Sequence, residues 1–154
     1  MARFRFRMQN ILNLKEKLET QAEMRFAEQK KKLNEAEQVK MRLLERKAFL
    51  EDEGRRLRSD TLDLLEIQNN DLNRRLCDED ILVADEKIKR EKKLLELRRQ
   101  ELENIMKERK AQEKLREHAF ERFLKEEAAA ESKIIDELTS YTYGQKTKEK
   151  AKAE

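Results

Sequence analysis

Few side chains in this sequence carry chemistry of their own. There is one histidine, His118, and one cysteine, Cys77, far from it along the chain. A metal centre or a nucleophilic triad needs several such groups close together, so His118 reads as a solvated helix residue. Cys77 precedes Asp78, Glu79 and Asp80. Negative neighbours disfavour a thiolate, which argues against a reactive thiol. A single thiol makes no intrachain disulfide and suits a reducing compartment. Carboxylates are abundant, but there is no glycine-rich loop to cradle a phosphate and little turn-forming sequence to build a pocket. The expectation is a protein without catalytic residues, cofactor or metal.

The remaining chemistry is that of contact. The start alternates cation and aromatic in Arg3-Phe4-Arg5-Phe6-Arg7. Such a segment suits an acidic protein rim or an anionic membrane surface, or a helix start with Phe4 or Phe6 packed on a second helix. Late in the chain, Ile134, Ile135, Leu138 and Tyr141 form a compact apolar group in a less charged stretch. That group is either covered by the segment from Phe4 to Leu14 or is an interaction site. The basic runs Lys30-Lys31-Lys32 and Lys89-Arg90 are flanked by Glu28, Glu35, Glu86 and Glu91 and read as solvated faces. Counterion release on nucleic acid needs a continuous basic face. With 37 Lys and Arg interleaved among 34 Asp and Glu, no nucleic-acid partner is expected, and binding through Arg3, Arg5 and Arg7 is a minor alternative.

The elements that must position these residues follow from composition. Of 154 residues, 46% are charged and 37% hydrophobic, with two glycines and no proline. Sandwiches, barrels and βαβ folds need more turn residues than this. No apolar run approaches membrane-spanning length, and the start has no apolar core or cleavage site of a secretory signal. Leu43, Leu50, Leu57 and Leu64 stand seven apart, and Ala36, Gln29 and Ala22 extend the track backward. Ile81, Ile88, Leu95 and Leu102 repeat the spacing, and Phe120, Glu127, Ile134 and Tyr141 carry a later one. This is the coiled-coil period. The companion track through Lys40, Lys47 and Gly54 is poor, and shifts of phase predict stutters.

One helical stripe cannot bury itself, so the fold expected is all-α: two long helices in an antiparallel coiled-coil hairpin, the second longer. Gly54 weakens a helix, and Ser59 and Asp60 suit an N-cap. These place a helix at about 4–53, a turn at about 54–60 and a helix at about 61–140, within a single hairpin of 1–144. Gln68 to Asp71 is the alternative break. The charged residues 145–154 read as a flexible tail. A different arrangement, a homo-oligomeric scaffold, would set the Leu43 to Leu64 stripe against another copy.

The opening FRFRMQNILNLKEKLE, the central AEQVKM and the late ESKIIDELTSYTYG resemble the FliJ family, coiled-coil proteins of the bacterial flagellar type III export apparatus. The F-x-F start and Asp136-Glu137-Leu138 are its more discriminating parts. The pattern is also similar to injectisome stalk proteins. The resemblance implies a non-enzymatic cytoplasmic stalk that enters the ring of the export ATPase hexamer and touches the cytoplasmic domain of an FlhA-type export gate. It also implies contact with export chaperones, and attachment to the inner face of the membrane only through partners. The gate-binding positions it implies are Gln38 and Phe49 on the first helix and Leu72, Leu76 and Val83 on the second. Two further positions of that patch fall on Arg42 and Glu45. Contact with the ATPase or another partner falls to Phe4, Phe6, Ile134, Ile135, Leu138 and Tyr141.

Overall fold

The computed structural model describes residues 2–154 and is all-helical among them. Helix α1 spans Gln9–Ser59 and helix α2 spans Leu64–Ala153, so the second is the longer. The helices pack against each other, and the chain divides into two units. One is residues 18–106; the other joins residues 1–17 to residues 107–154.

In the 18–106 unit, the helix pairing is antiparallel. Gln29 meets Glu91, Lys40 meets Asp85, Leu43 meets Cys77, Lys47 meets Asp78 and Leu50 meets Asn70. The inward positions on α1 step by three and four without interruption from Ala22 to Leu57, and those on α2 from Ile67 to Ile105. No stutter occurs in this unit. The poor companion track is part of the seam: Lys40 and Lys47 are half-buried and Gly54 is buried. A lysine serves there because its methylene stem packs while its ammonium reaches the rim. Lys40 Nζ lies 2.6 Å from Asp85, and Lys47 Nζ lies 2.9 Å from Asp78. Leu33, Ala36 and Ile88 form the apolar cluster of this seam, with Leu95 packed on it.

Two polar layers interrupt the apolar seam. Buried Gln29 donates through Nε2 to the Glu91 carbonyl at 3.1 Å and also to the Glu91 carboxylate. Buried Asn70 donates through Nδ2 to the Leu50 carbonyl at 2.9 Å. Its Oδ1 sits only 2.8 Å from where a Cβ on Gly54 would stand. Glycine is therefore retained inside α1 because a side chain from α2 fills the space beside it. Gly54 does not end the helix, and the segment from Gln68 to Asp71 continues α2 and faces inward at Asn70.

The connection is residues 60–63, later than the turn expected at 54–60. Ser59 does not cap α2; its hydroxyl donates back to the Arg56 carbonyl at 2.9 Å. Asp63 is the cap. Its Oδ1 accepts the Leu65 N–H at 3.1 Å, and its carbonyl accepts the Ile67 N–H at 3.1 Å. This satisfies donors that the first turn of a helix leaves unpaired. Arg56 and Arg58 lie in the last turn of α1, where cations oppose the helix dipole.

The second unit begins as an irregular arm. Residues 2–6 have no helical structure, and α1 starts at Gln9 rather than near residue 4. Leu12 is buried, and Lys15 Nζ reaches Glu108 at 2.7 Å. From residue 128 onward every position is exposed, yet the helix runs on to Ala153. Residues 145–153, expected as a tail, are helical.

The Gly54 and Asn70 layer gives a test by double-mutant cycle. Alanine in place of glycine inside a helix should gain about 1 kcal/mol. In the native background Gly54→Ala must push Asn70 off the Leu50 carbonyl, and urea unfolding should show a loss of about 1 kcal/mol. In an Asn70→Ala background the same substitution should stabilise. Additive effects would show that the two residues do not interlock.

Candidate functional site

Each unit carries an exposed apolar surface of its own. In the 18–106 unit, Leu72, Leu76 and Val83 follow one another at intervals of four and seven along α2. All three are exposed, because Asn70, Cys77 and Ala84 take the inward positions of the same turns. They therefore share the outer face of α2. Phe49 is 61% exposed on α1, and it lies at the level of Leu72 and Leu76, since neighbouring Leu50 is bonded by Asn70. Phe49 also lines a shallow cleft with Glu53, Arg56 and Glu66 beside the connection. Gln38 is exposed two residues before Lys40, which pairs with Asp85 near Val83. The structure thus gathers Phe49, Leu72 and Leu76 at one level and sets Gln38 near the level of Val83. Arg42 and Glu45 are exposed on α1 between those levels.

In the other unit the aromatic arm is pinned. The Phe4 ring stands 5.1 Å from Phe120 in an edge-on arrangement and 5.5 Å from Phe123. Phe120 and Phe123 stack at 6.4 Å. These separations fall in the favourable range for ring pairs. The spacing of Phe120 and Phe123 puts both rings within a single turn of α2, and with the F-x-F start this was the signal available in the sequence for the pairing. Phe4, Leu12 and Phe120 then line a cleft of about 360 Å³ with Glu16, Glu113 and Arg116. Phe6 is half-buried and lines an adjoining depression with Arg3, Arg5 and Gln9.

Phe4 covers Phe120 and Phe123, not the later apolar group. Ile134, Ile135, Leu138 and Tyr141 are all exposed, Leu138 to 61% and Tyr141 to 66%. Beside them the polar side chains turn back on their own helix. Thr139 donates to the Ile135 carbonyl and Thr142 to the Leu138 carbonyl, each at 2.8 Å, and Gln145 donates to the Tyr141 hydroxyl at 2.7 Å. The threonine hydroxyls are thus satisfied within the helix, while the apolar side chains stand exposed.

The remaining candidates stay outside both surfaces. Cys77 is buried in the seam, its thiol directed at the Leu43 carbonyl at 3.4 Å. His118 is exposed, with Nδ1 3.8 Å from Glu121. Among the described residues no group of three or more His, Cys, Asp or Glu has the geometry to hold a metal ion, and no helix is long and apolar enough to cross a membrane. The Leu43 and Leu50 stripe, a possible face for a second copy, is occupied by α2 of the same chain.

Electrostatic perturbation is seen at two sets of ion pairs. The hydrogen bond that the Lys47 ammonium donates to Asp78 is the main cause raising it above the ordinary lysine value. On α2, Arg99 bridges Glu96 and Glu103. Its hydrogen bond lowers the Glu96 carboxyl below the ordinary glutamate value, and the Arg99 guanidinium is raised in turn. A carboxyl depressed by folding stabilises the fold above its unfolded pKa, and that stabilisation is lost as pH falls through the folded value.

Two tests follow. Phe120→Ala should release the arm. Amide exchange at Gln9, Ile11 and Leu12, whose N–H groups donate to the Phe6 and Met8 carbonyls, should quicken by about tenfold, as loss of a ring pair implies, while exchange at residues 30–50 stays unchanged. Arg99→Met should move the Glu96 titration midpoint, read by carboxyl NMR, up toward the ordinary glutamate value; an unmoved midpoint would mean that Arg99 is not the cause.

Compared with known protein families, residues 4–148 match the family described as the flagellar FliJ protein. No curated protein and no solved structure matches the chain.

Proposed function

The chain belongs to the flagellar FliJ protein family, a component of the flagellar export apparatus, and from that premise we propose that it works as a non-enzymatic stalk joining the export ATPase ring to the export gate. The observation that supports this reading best is the pair of exposed apolar surfaces, one in each unit, on a protein whose seam is already filled. Large exposed apolar groups of this kind mark docking sites.

The division of labour is as follows. The export gate's cytoplasmic domain docks on Phe49, Leu72, Leu76 and Val83, with Gln38 at the rim of the patch. The ATPase hexamer takes the Phe4 and Phe6 arm together with Ile134, Ile135, Leu138 and Tyr141. Export chaperones are further clients. The protein stays in the cytoplasm and meets the inner face of the membrane through these partners alone. It makes and breaks no bonds; it acts on the ATPase through contact, by burying side chains that water surrounds in the free chain. Burial of one such side chain is worth about 1.5–3 kcal/mol, so a few of them hold a partner even after the cost of ordering it.

Binding to the export ATPase and the rate of ATP hydrolysis test the proposal. Leu138→Glu with Tyr141→Glu should abolish binding to the ATPase and its stimulation, and leave gate binding intact. Leu72→Glu with Leu76→Glu should do the reverse. No binding of the native chain and no effect on hydrolysis at any stoichiometry would overturn the stalk reading.

A further inference from the structure

From residue 128 to Ala153, α2 is helical although every one of its positions is exposed. In proteins most helical stability comes from packing an apolar face rather than from propensity, and this stretch includes Gly144 and leaves Ile134, Ile135, Leu138 and Tyr141 exposed. Its inward-type positions recur at Leu124, Glu127, Glu131, Ile134, Leu138, Tyr141, Gln145, Lys148 and Lys152, the three-and-four spacing of a coiled-coil strand. The strand lacks its mate.

The distribution of charge says which mate fits. Residues 126–137 carry five carboxylates against one lysine, and residues 138–153 carry four lysines against one carboxylate. The changeover falls at Leu138, in the middle of the apolar group. A strand built this way is the complement of its own reverse. We propose that residues 126–153 pair antiparallel with the same segment of a second copy of this chain, about a two-fold axis at Leu138.

The layers of that pairing are self-consistent. Leu138 meets Leu138 on the axis. Ile134 meets Tyr141, Glu131 meets Gln145, and Glu127 meets Lys148 in the successive layers on both sides. Glu126 lies opposite Lys150 at the flank. A parallel pairing would instead set carboxylates against carboxylates and lysines against lysines, which is unfavourable. Because the interface is isologous it closes at two copies and does not propagate into a filament. It covers the same apolar side chains that the stalk reading assigns to the ATPase, so self-pairing and ATPase docking exclude one another. The dimer is thus a covered form of the free protein, and its existence does not depend on the stalk reading.

Sedimentation equilibrium of the full chain tests it. A monomer–dimer equilibrium should appear, with the dimer weakening as salt rises from about 0.05 to 0.5 M, because the flanking pairs are exposed. Glu126→Lys with Glu127→Lys should raise the dissociation constant by about tenfold or more, as should Lys148→Glu with Lys150→Glu. Combining all four substitutions in one chain should restore the native value, because the acid and base halves are simply exchanged. Leu138→Glu should abolish the dimer, while circular dichroism confirms that the helices remain. A native chain that is monomeric at every concentration in low salt would overturn the proposal. So would a dimer indifferent to the charge substitutions, which is the pattern of parallel pairing, or a fourfold variant as weak as the twofold ones.

Discussion

A two-stranded coil has no interior beyond its seam, and every other feature of this protein follows from that narrowness. A helix in a thick domain buries a broad stripe, whereas each helix here buries about two residues per heptad. In the 18–106 unit those places hold leucine, isoleucine and alanine, but also Gln29, Lys40, Lys47, Gly54, Asn70 and Glu91. The polar layers oppose slippage. Moving one strand by a heptad would take Asn70 from the notch beside Gly54 and set it against a side chain, and would separate Gln29 from Glu91. A buried amide left without its partner costs more than the bond gains when made. Apolar layers alone would tolerate such a shift more easily.

The same narrowness makes large apolar side chains surplus. Once the seam is filled, Phe49, Leu72, Leu76 and Val83 in one unit, and Ile134, Leu138 and Tyr141 in the other, have nowhere in their own unit to go. In a globular domain such residues would sink into the core. Here they stand on outer faces at helical spacing, in a chain whose other outward positions are mostly charged. Exposed apolar faces of this kind are where a partner can dock. The ion pairs among the protein's charged residues, lying at the surface, add little stability each.

The arm at the start of the chain shows how a local sequence is captured by a distant one. Arg3 to Arg7 has no Ser, Thr, Asp or Asn to cap a helix there. Phe4 is instead held by Phe120 and Phe123. The helix begins only at Gln9, where Phe6 and Met8 carbonyls receive the first amides. The arm therefore takes up the two aromatic rings closest to it and leaves the next apolar group on α2 uncovered.

Much was legible in the residues alone. The scarcity of glycine and proline, the balance of charge and the heptad period determined an all-helical chain that turns back on itself, because few other folds can be built without turn residues. The late apolar group and the aromatic start were visible as candidate contacts for the same reason: they broke a charged background. What the residues did not decide was which weak positions belong to the seam. Lysine, glutamine, asparagine and glycine are ordinary surface residues by type, and Gly54 and the Gln68 to Asp71 stretch looked like interruptions. Only the opposing helix shows that Gly54 makes room for Asn70 and that Asp78 and Asp85 receive the lysines. Asp63 likewise became the cap because packing carried α1 on to Ser59. Position in a coiled coil is settled by what stands across from each residue, and that partner lies far away along the chain.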